Sequence, residues 1–224
     1  MERRTFIRAS ALSLGLATGT ATATAAAPLR VQVLMFDGVE EQDFIAPVEV
    51  LGLAGRMSGA IRTTLVSPDR PRTVTCTYGT EVKVGNAWNP ADADVLVVPG
   101  GGYTNRTGPG VHKLIGDKGF LRRLKESKAL PVGICTGTMI LSAAEITKGR
   151  NATTHSGAKA DLAAQGATVV NARVVDDGDL ITGGGITSGL EVALWLVERF
   201  AGAQLAQRTE TVLEYERRGT VWRR

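Results

Sequence analysis

The sequence predicts an α/β domain built on a mainly parallel sheet. Three nearly continuous apolar runs, at 29–36, 94–98 and 130–134, have the composition of strands that are buried on both faces. Segments with apolar residues at helical spacing alternate with such runs, as in 43–56. Strands that alternate with helices form a parallel sheet whose crossovers are right-handed.

The remaining elements follow the same alternation along the chain. Strands are predicted at 29–36, 61–67, 94–98, 130–134, 168–170, 173–176 and 180–182, with a small hairpin within 74–84. Residues 150–155 are a short strand or a crossover. Helices are predicted at 43–56, 111–127, 137–146, 158–165, 186–200 and 204–216. Ligands of such sheets bind at the carboxyl ends of the strands, so functional residues are expected just after strands.

Length and composition indicate one globular domain, which we place at residues 28–224. The chain has 224 residues, of which 43% are hydrophobic and 21% charged, enough to bury a core. The net charge is +4, and part of it comes from Arg3, Arg4 and Arg8. Without a stripe of basic and aromatic residues, nucleic acid is not expected as a partner. The arginines at 217, 218, 223 and 224 are interpreted as a solvated tail.

The first 27 residues have the pattern of a targeting segment. Arg3 and Arg4 precede a weakly hydrophobic run rich in Ala, Leu, Gly and Thr, which ends in an Ala-rich stretch at 23–27. This pattern resembles a twin-arginine export signal with its cleavage region. We therefore predict an exported protein without stable membrane association after signal removal. The alternative is an uncleaved membrane anchor, for which the threonines and glycines are unfavourable.

Cys135 is the strongest candidate for a catalytic nucleophile. It stands in Gly133-Ile134-Cys135-Thr136-Gly137, the cysteine version of the strand-to-helix elbow that carries a nucleophile. Glycines at such an elbow permit a sharp turn, and we expect the first amides of the next helix to lower the thiol pKa. The alternative is a small buried hydrophobic residue.

The second cysteine raises the question of a disulfide. Cys76 and Cys135 are the only two cysteines, and exported proteins commonly pair theirs. A bridge would consume the elbow thiol, and the twin-arginine route carries proteins that are already folded. We therefore expect a free Cys135 and a structural or incidental Cys76.

Glycine amides near the elbow are candidates for an oxyanion hole. Gly101 and Gly102 lie in a run of three glycines directly after a buried strand. Their amides, with that of Thr136, could stabilise charge that develops on a bound substrate. The alternative is a turn that only needs positive φ angles.

Asp43 and His155 are the candidate acid and base. Asp43 lies early in the first predicted helix, where spacing alone favours a helix cap, and Glu40 and Glu41 compete for any functional role. Of the two histidines, His155 fits a crossover to the same sheet edge better than His112, and a structural role for it stays open. These residues make no metal-ligand cluster, and no phosphate-binding or dinucleotide motif occurs. No metal and no cofactor are therefore expected.

Six motifs are spread along the predicted domain. They are Phe36-Asp37-Gly38-Val39, Asp43 with Pro47, Val97-Val98-Pro99-Gly100-Gly101, Gly133-Ile134-Cys135-Thr136-Gly137, Ala152-Thr153-Thr154-His155 and Gly219-Thr220-Val221-Trp222. Together they resemble the ThiJ/PfpI family of class I glutamine amidotransferase-like proteins, and within it the isonitrile hydratase-like members.

The resemblance implies a flavodoxin-like three-layer sandwich, usually dimeric, whose elbow cysteine is hydrogen-bonded to an acidic residue of the first helix. Asp43 matches that acid. The implied activity is a cofactor-free reaction on a small-molecule substrate: Cys135 attacks an isonitrile carbon, Asp43 shuttles the proton, Thr136 helps to position the thiol, and water releases an N-substituted formamide. The alternatives are a thiol redox sensor and a glyoxalase-like hydratase of 2-oxoaldehydes.

Overall fold

A computed structural model describes residues 27–224. The predicted export signal, apart from Ala27, lies outside the described residues. No helix between residues 27 and 224 combines the length and the apolar character that a membrane crossing requires.

Strands and helices alternate through most of the described chain. The strands are β1 Leu29–Leu34, β2 Ile61–Val66, β3 Arg72–Thr75, β4 Glu81–Val84, β5 Val95–Val98, β6 Leu130–Ile134, β7 Asn151–Ala152, β8 Thr168–Val169, β9 Val174–Asp176, β10 Ile181–Gly183 and β11 Trp222–Arg223. The helices are α1 Glu41–Ser58, α2 Val111–Ile115, α3 Lys118–Glu126, α4 Gly137–Ala143, α5 Lys159–Ala164, α6 Ser188–Ala201 and α7 Ala203–Leu213.

The central sheet has the strand order β11-β9-β10-β6-β5-β1-β2. Strands β2, β1, β5, β6 and β10 run parallel, whereas β9 runs antiparallel to β10. Val98 pairs with Gly133, and Gly183 pairs with Ile134, so three neighbouring strands end at the same level. The residues that follow them, around positions 100, 135 and 184, therefore meet at one edge.

Helices cover both faces of this sheet and complete a three-layer α/β sandwich. On one side α1 packs on α6 and α6 packs on α7, and on the other α4 contacts α2 and α3. The continuous apolar strands explain this arrangement, because a strand buried on both faces needs cover on both. Residues Val95 to Val98 are all buried. The predicted fold class is confirmed.

The helix predicted over 111–127 is wrong in one respect, since the segment forms two helices. The chain breaks at Gly116 and Asp117, and the Asp117 carboxylate accepts a hydrogen bond from the Phe120 amide at 2.9 Å. A new N-cap inside an apolar-periodic run starts a second helix that periodicity alone does not separate. Strand β11 was also not predicted.

The prediction of a solvated basic tail is wrong for Arg217, which forms ion pairs with Glu198 and Glu210. Arg223 is exposed, and its guanidinium lies 5.5 Å from the centre of the Trp195 ring. These contacts hold the last residues against α6 and α7.

Candidate active site

Cys135 occupies a strained turn between β6 and α4. Its φ angle is 54°, in the left-handed region that side chains other than glycine rarely adopt. Its amide donates to the carbonyls of Gly183 and Gly184 at 3.2 and 2.9 Å, and its carbonyl accepts from the Thr154 hydroxyl at 2.7 Å. Because the surrounding chain satisfies both backbone groups, the strained conformation persists.

The two glycines of the elbow are required for close packing rather than for unusual backbone angles. A Cβ atom at Gly137 would lie 1.9 Å from the Val98 carbonyl oxygen, and one at Gly133 would lie 2.6 Å from the Thr138 hydroxyl oxygen. The positive φ angle falls on Cys135 itself. The sequence argument that these glycines supply the turn is therefore corrected: they bring β5, β6 and α4 close enough to fix it.

Asp43 lies fully buried in the first turn of α1 and does not cap the helix. The capping group is Glu40, whose carboxylate accepts from the Asp43 amide at 3.0 Å. The Asp43 side chain instead accepts from the Gly100 amide, 2.8 Å from its Oδ2 atom. The interpretation of Asp43 as a cap is thus wrong, because Glu40 already supplies that hydrogen bond.

The glycine run after β5 connects Asp43 with the elbow. The Gly101 amide donates to the Thr136 hydroxyl at 3.0 Å, and a Cβ atom at Gly100 would lie 2.5 Å from that same oxygen. Gly102 has a φ angle of 63° and packs against Pro109. The Gly101 amide is therefore committed to Thr136, which corrects its assignment as a free oxyanion donor.

Three groups act directly on the Cys135 sulfur. The amides of Thr136 and Ile186 lower its pKa, and the neighbouring Asp43 carboxyl group raises it. Of the predicted donors, Thr136 is thus at the sulfur. The second amide comes from Ile186, whose φ angle of 33° is also strained.

Burial dominates the electrostatics of the Cys135–Asp43 pair. It raises the pKa of Asp43 to about 8, and the nearby charge of Glu40 adds to this effect. It raises the pKa of Cys135 to about 12, because the sulfur is buried and an ionised Asp43 opposes a second negative charge. The expectation that the helix amides lower the thiol pKa is wrong in net direction, since their contribution is smaller than that of burial.

The two groups titrate as one unit. A pair of adjacent buried acids loses its first proton far more readily than its second, and the remaining proton can lie on either partner. The Oδ1 atom of Asp43 has no hydrogen-bond partner, and its Oδ2 atom accepts from the Gly100 amide. Within the singly charged pair, the amides of Thr136 and Ile186 favour the thiolate and the Gly100 amide favours the Asp43 carboxylate.

His155 lies near the elbow without completing a Cys-His dyad. Its Nδ1 atom accepts from the Gly157 amide at 3.1 Å, and its ring packs against Gly185. Gly185 precedes Ile186, so the imidazole lies beside the turn that carries the second amide. Among residues 27–224, the groups that act on the sulfur do not include His155.

A polar network supports the turn that presents Ile186. Arg173 donates to Glu191 through two nitrogens at 2.8 Å each and to the Thr187 hydroxyl at 3.0 Å. The Tyr215 hydroxyl donates to the same carboxylate at 2.6 Å. Burial opposes ionisation of Glu191, yet the hydrogen bonds from Arg173 and Tyr215 lower its pKa overall.

Both cysteines are free and buried. Cys76 lies in the turn between β3 and β4, and burial together with the charge of Glu41 raises its pKa to about 11. In the described part of the chain, no group of three or more His, Cys, Asp or Glu side chains is placed to hold a metal ion.

A cysteine on a strand-to-helix elbow, with a carboxyl group from the first helix at its sulfur, defines a class of α/β proteins with a nucleophile elbow. The chain belongs to the DJ-1/PfpI family, whose sequence profile matches residues 29–199. The ThiJ/PfpI resemblance predicted from the motifs is confirmed.

Enzymes are among the relatives of this chain. It is 34% identical over 191 residues to an isonitrile hydratase of Pseudomonas putida, covering 84% of this chain and 78% of that one. It is 31% identical over 159 residues to a deglycase of Pyrococcus abyssi, covering 69% of this chain and 89% of that one. The crystal structure of a ThiJ/PfpI family protein from Pseudomonas syringae has a TM-score of 0.74 at 24% identity, covering 93% of this chain and 84% of that one.

Sequence reasoning missed Gly100 and Ile186 as site residues and left the role of Glu40 open. Gly100 is the first of three consecutive glycines, of which Gly101 and Gly102 were predicted as donors. Ile186 directly follows the glycines at 183–185. Both act through backbone amides, which no side-chain motif reveals. Glu40 could have been found from the spacing of Glu40 and Asp43, since an N-cap side chain accepts from the third helical amide.

Proposed function

We propose that this protein is a cofactor-free cysteine enzyme that hydrates isonitriles to N-substituted formamides. The observation that carries the proposal is that the buried Asp43 carboxyl group, held by the Gly100 amide, lies beside the Cys135 elbow and interacts with the thiol, whereas His155 does not. The similarity to an isonitrile hydratase supports the choice of substrate.

The first step forms a covalent bond between sulfur and the isonitrile carbon. The Cys135 thiolate attacks the terminal carbon while the protonated Asp43 gives its proton to the same carbon. The product is a thioimidate, in which the carbon carries one hydrogen, the sulfur and a double bond to nitrogen. Asp43 is left as a carboxylate. Its Gly100 hydrogen bond, at 2.8 Å, stabilises that charge.

The second step adds water to the thioimidate. The Asp43 carboxylate takes one proton from water as the hydroxyl oxygen bonds to carbon, and that proton passes to the substrate nitrogen. The carbon–sulfur bond then breaks, the hydroxyl proton returns to Asp43, and an N-substituted formamide leaves. The thiolate and the protonated carboxyl group are restored. The amides of Thr136 and Ile186 stabilise the departing thiolate.

The test is a turnover assay of the protein lacking residues 1–27 with a series of alkyl and aryl isonitriles, with formamide release followed by chromatography. We expect turnover by the unchanged protein and none by Cys135→Ala. Formamide release by Cys135→Ala at the unchanged rate contradicts the proposal.

A second candidate is hydration of 2-oxoaldehydes, and the similarity to a deglycase favours it. The same thiolate would add to an aldehyde carbon. The two candidates separate in one assay, since methylglyoxal would be converted to lactate and isonitriles would be left intact. The redox-sensor alternative needs the same thiolate, so peroxide oxidation of Cys135 in a protein that converts neither substrate would favour it.

A further inference from the structure

A cleft of about 520 Å³ opens beside the elbow. It is lined by residues from three segments, within 154–159, 171–173 and 184–188. Two of its lining residues also hold Cys135: the Gly184 carbonyl accepts from the Cys135 amide at 2.9 Å, and the Thr154 hydroxyl donates to the Cys135 carbonyl at 2.7 Å. Its volume lies within the range of small-molecule sites. The cleft is therefore placed to receive the part of a substrate that extends away from the reacting carbon.

The cleft is positively charged. In the part of the chain that the structure describes, its lining includes Lys159 and Arg173 and no aspartate or glutamate. The charge of Arg173 is compensated by its ion pair with the buried Glu191. The ammonium group of Lys159 instead donates to the neutral side-chain oxygen of Asn171 at 2.7 Å, so its charge has no carboxylate partner in the cleft.

Neutral donors surround the same space. The Nδ1 atom of His155 accepts from the Gly157 amide, which places the proton of the neutral ring on Nε2 as a donor. The side-chain nitrogen of Asn171 is a further donor, since its oxygen is occupied by Lys159. The amino end of α6, a helix of 14 residues, opens at Thr187 and adds its positive dipole end.

We propose that this cleft binds a carboxylate of the substrate, so that Cys135 acts on small electrophiles that carry one negative charge. One uncompensated cation with neutral donors around it matches a single carboxylate better than a dianion. The inference rests on the proposed function only for the identity of the reacting group. It extends that function by assigning Lys159 to substrate recognition.

The test compares two alkylating reagents of similar size that differ in charge, iodoacetate and iodoacetamide. The same Cys135 thiolate attacks both reagents. A change in the thiol pKa or in general access to the thiol therefore alters both rates equally and leaves their ratio unchanged. We expect the ratio in the unchanged protein to exceed the ratio for N-acetylcysteine measured alongside. We expect Lys159→Gln to lower it about fivefold, and 0.5 M salt to lower it in the unchanged protein.

Two variants serve as controls. Lys128→Gln removes the same charge from an exposed position before β6, at the opposite edge of the sheet, and should leave the ratio unchanged. Lys159→Arg keeps the charge and should keep most of the preference. An equal ratio in Lys159→Gln and Lys128→Gln overturns the inference. The measurement needs no turnover, so an absence of isonitrile hydration would count against the proposed function alone.

Discussion

Two buried thiols of this protein each lie near an acidic side chain from the first turn of α1, and their surroundings differ in one decisive way. Cys135 has Asp43 beside it, and Cys76 has Glu41. Burial raises the pKa of both thiols. Only Cys135 stands on a strained elbow with backbone amides at its sulfur. Burial and a nearby carboxylate are common to both thiols, so we expect the amides near the sulfur to be what makes Cys135 the nucleophile.

The largest expected difference between the two thiols is in turnover. Replacing Cys135 by alanine removes the atom that bonds to substrate, so we expect a loss of about 10⁴-fold or more in isonitrile hydration. Replacing Cys76 by alanine should change the rate by about twofold or less. Steady-state rates of formamide release measure both. Equal losses in the two variants would remove the distinction between the thiols.

The next largest difference concerns the two carboxyl groups. Asp43→Asn keeps the shape of the side chain but cannot shuttle a proton, so we expect kcat to fall about 100-fold. Glu41→Gln makes the same chemical change beside Cys76 and should leave kcat within about twofold. Circular dichroism would verify that both variants are folded. An Asp43→Asn variant with full kcat would show that the proton comes from elsewhere.

The same Asp43→Asn variant should be more stable than the unchanged protein. The folded-state pKa of Asp43, about 8, lies above the ordinary value of 3.8, so folding takes up a proton between these pH values. Stability therefore falls as pH rises through this window. At pH 7 we expect the free energy of unfolding of Asp43→Asn to exceed that of the unchanged protein by about 2 kcal/mol. The cost of burying the asparagine amide offsets part of the gain from removing the ionisable group. Urea unfolding at pH 5 and pH 7 measures it, and a gain that does not increase with pH contradicts the raised pKa.

A smaller effect should separate the pH profiles of the two thiols. The Cys135–Asp43 pair releases its first proton near pH 8, and in the proposed mechanism this proton leaves the sulfur. Iodoacetamide should then alkylate Cys135 about tenfold faster per pH unit below 8 and level off above it. Cys76, with its pKa raised to about 11, should still be accelerating at pH 9. Peptide mass spectrometry after timed alkylation resolves the two sites. Superimposable profiles would mean that Asp43 does not share a proton with Cys135.

The smallest effect tests the support of the second amide donor. Tyr215→Phe removes one hydrogen bond from Glu191, which anchors Arg173 and through it the turn at Thr187. We expect kcat to fall about threefold, with a loss of about 1 kcal/mol in unfolding free energy. Alkylation of Cys76 should be unchanged. A decrease in stability without any effect on kcat would limit this network to a structural role.

The fold could be predicted because its signals are local and redundant. Continuous apolar strands such as 95–98, separated by helical spacing, leave few arrangements besides a parallel sheet covered on both faces. The break at Gly116 and Asp117 was missed, because the Asp117 side chain starts a second helix while the apolar periodicity of the segment continues across the break. Strand β11 has two residues and depends on pairing with β9.

The candidate site could be predicted where side chains form it and was missed where the backbone forms it. Cys135 stands out in its motif, and Asp43 was recognised through a family resemblance although spacing favoured a cap. The amides of Gly100 and Ile186 depend on which strands end side by side, which the sequence does not state. The direction of the Cys135 pKa was mispredicted for a related reason: helix amides can be inferred from the motif, but the degree of burial around the sulfur cannot.

The central claim is that Cys135 forms a covalent adduct with substrate using Asp43, and without His155, as its proton partner. The most direct measurement is peptide mass spectrometry of the unchanged protein and of His155→Ala, both quenched with acid during isonitrile turnover. The account predicts that the peptide containing Cys135 gains the mass of one isonitrile molecule in both proteins. Turnover without such an adduct, or an adduct that disappears in His155→Ala, would contradict it.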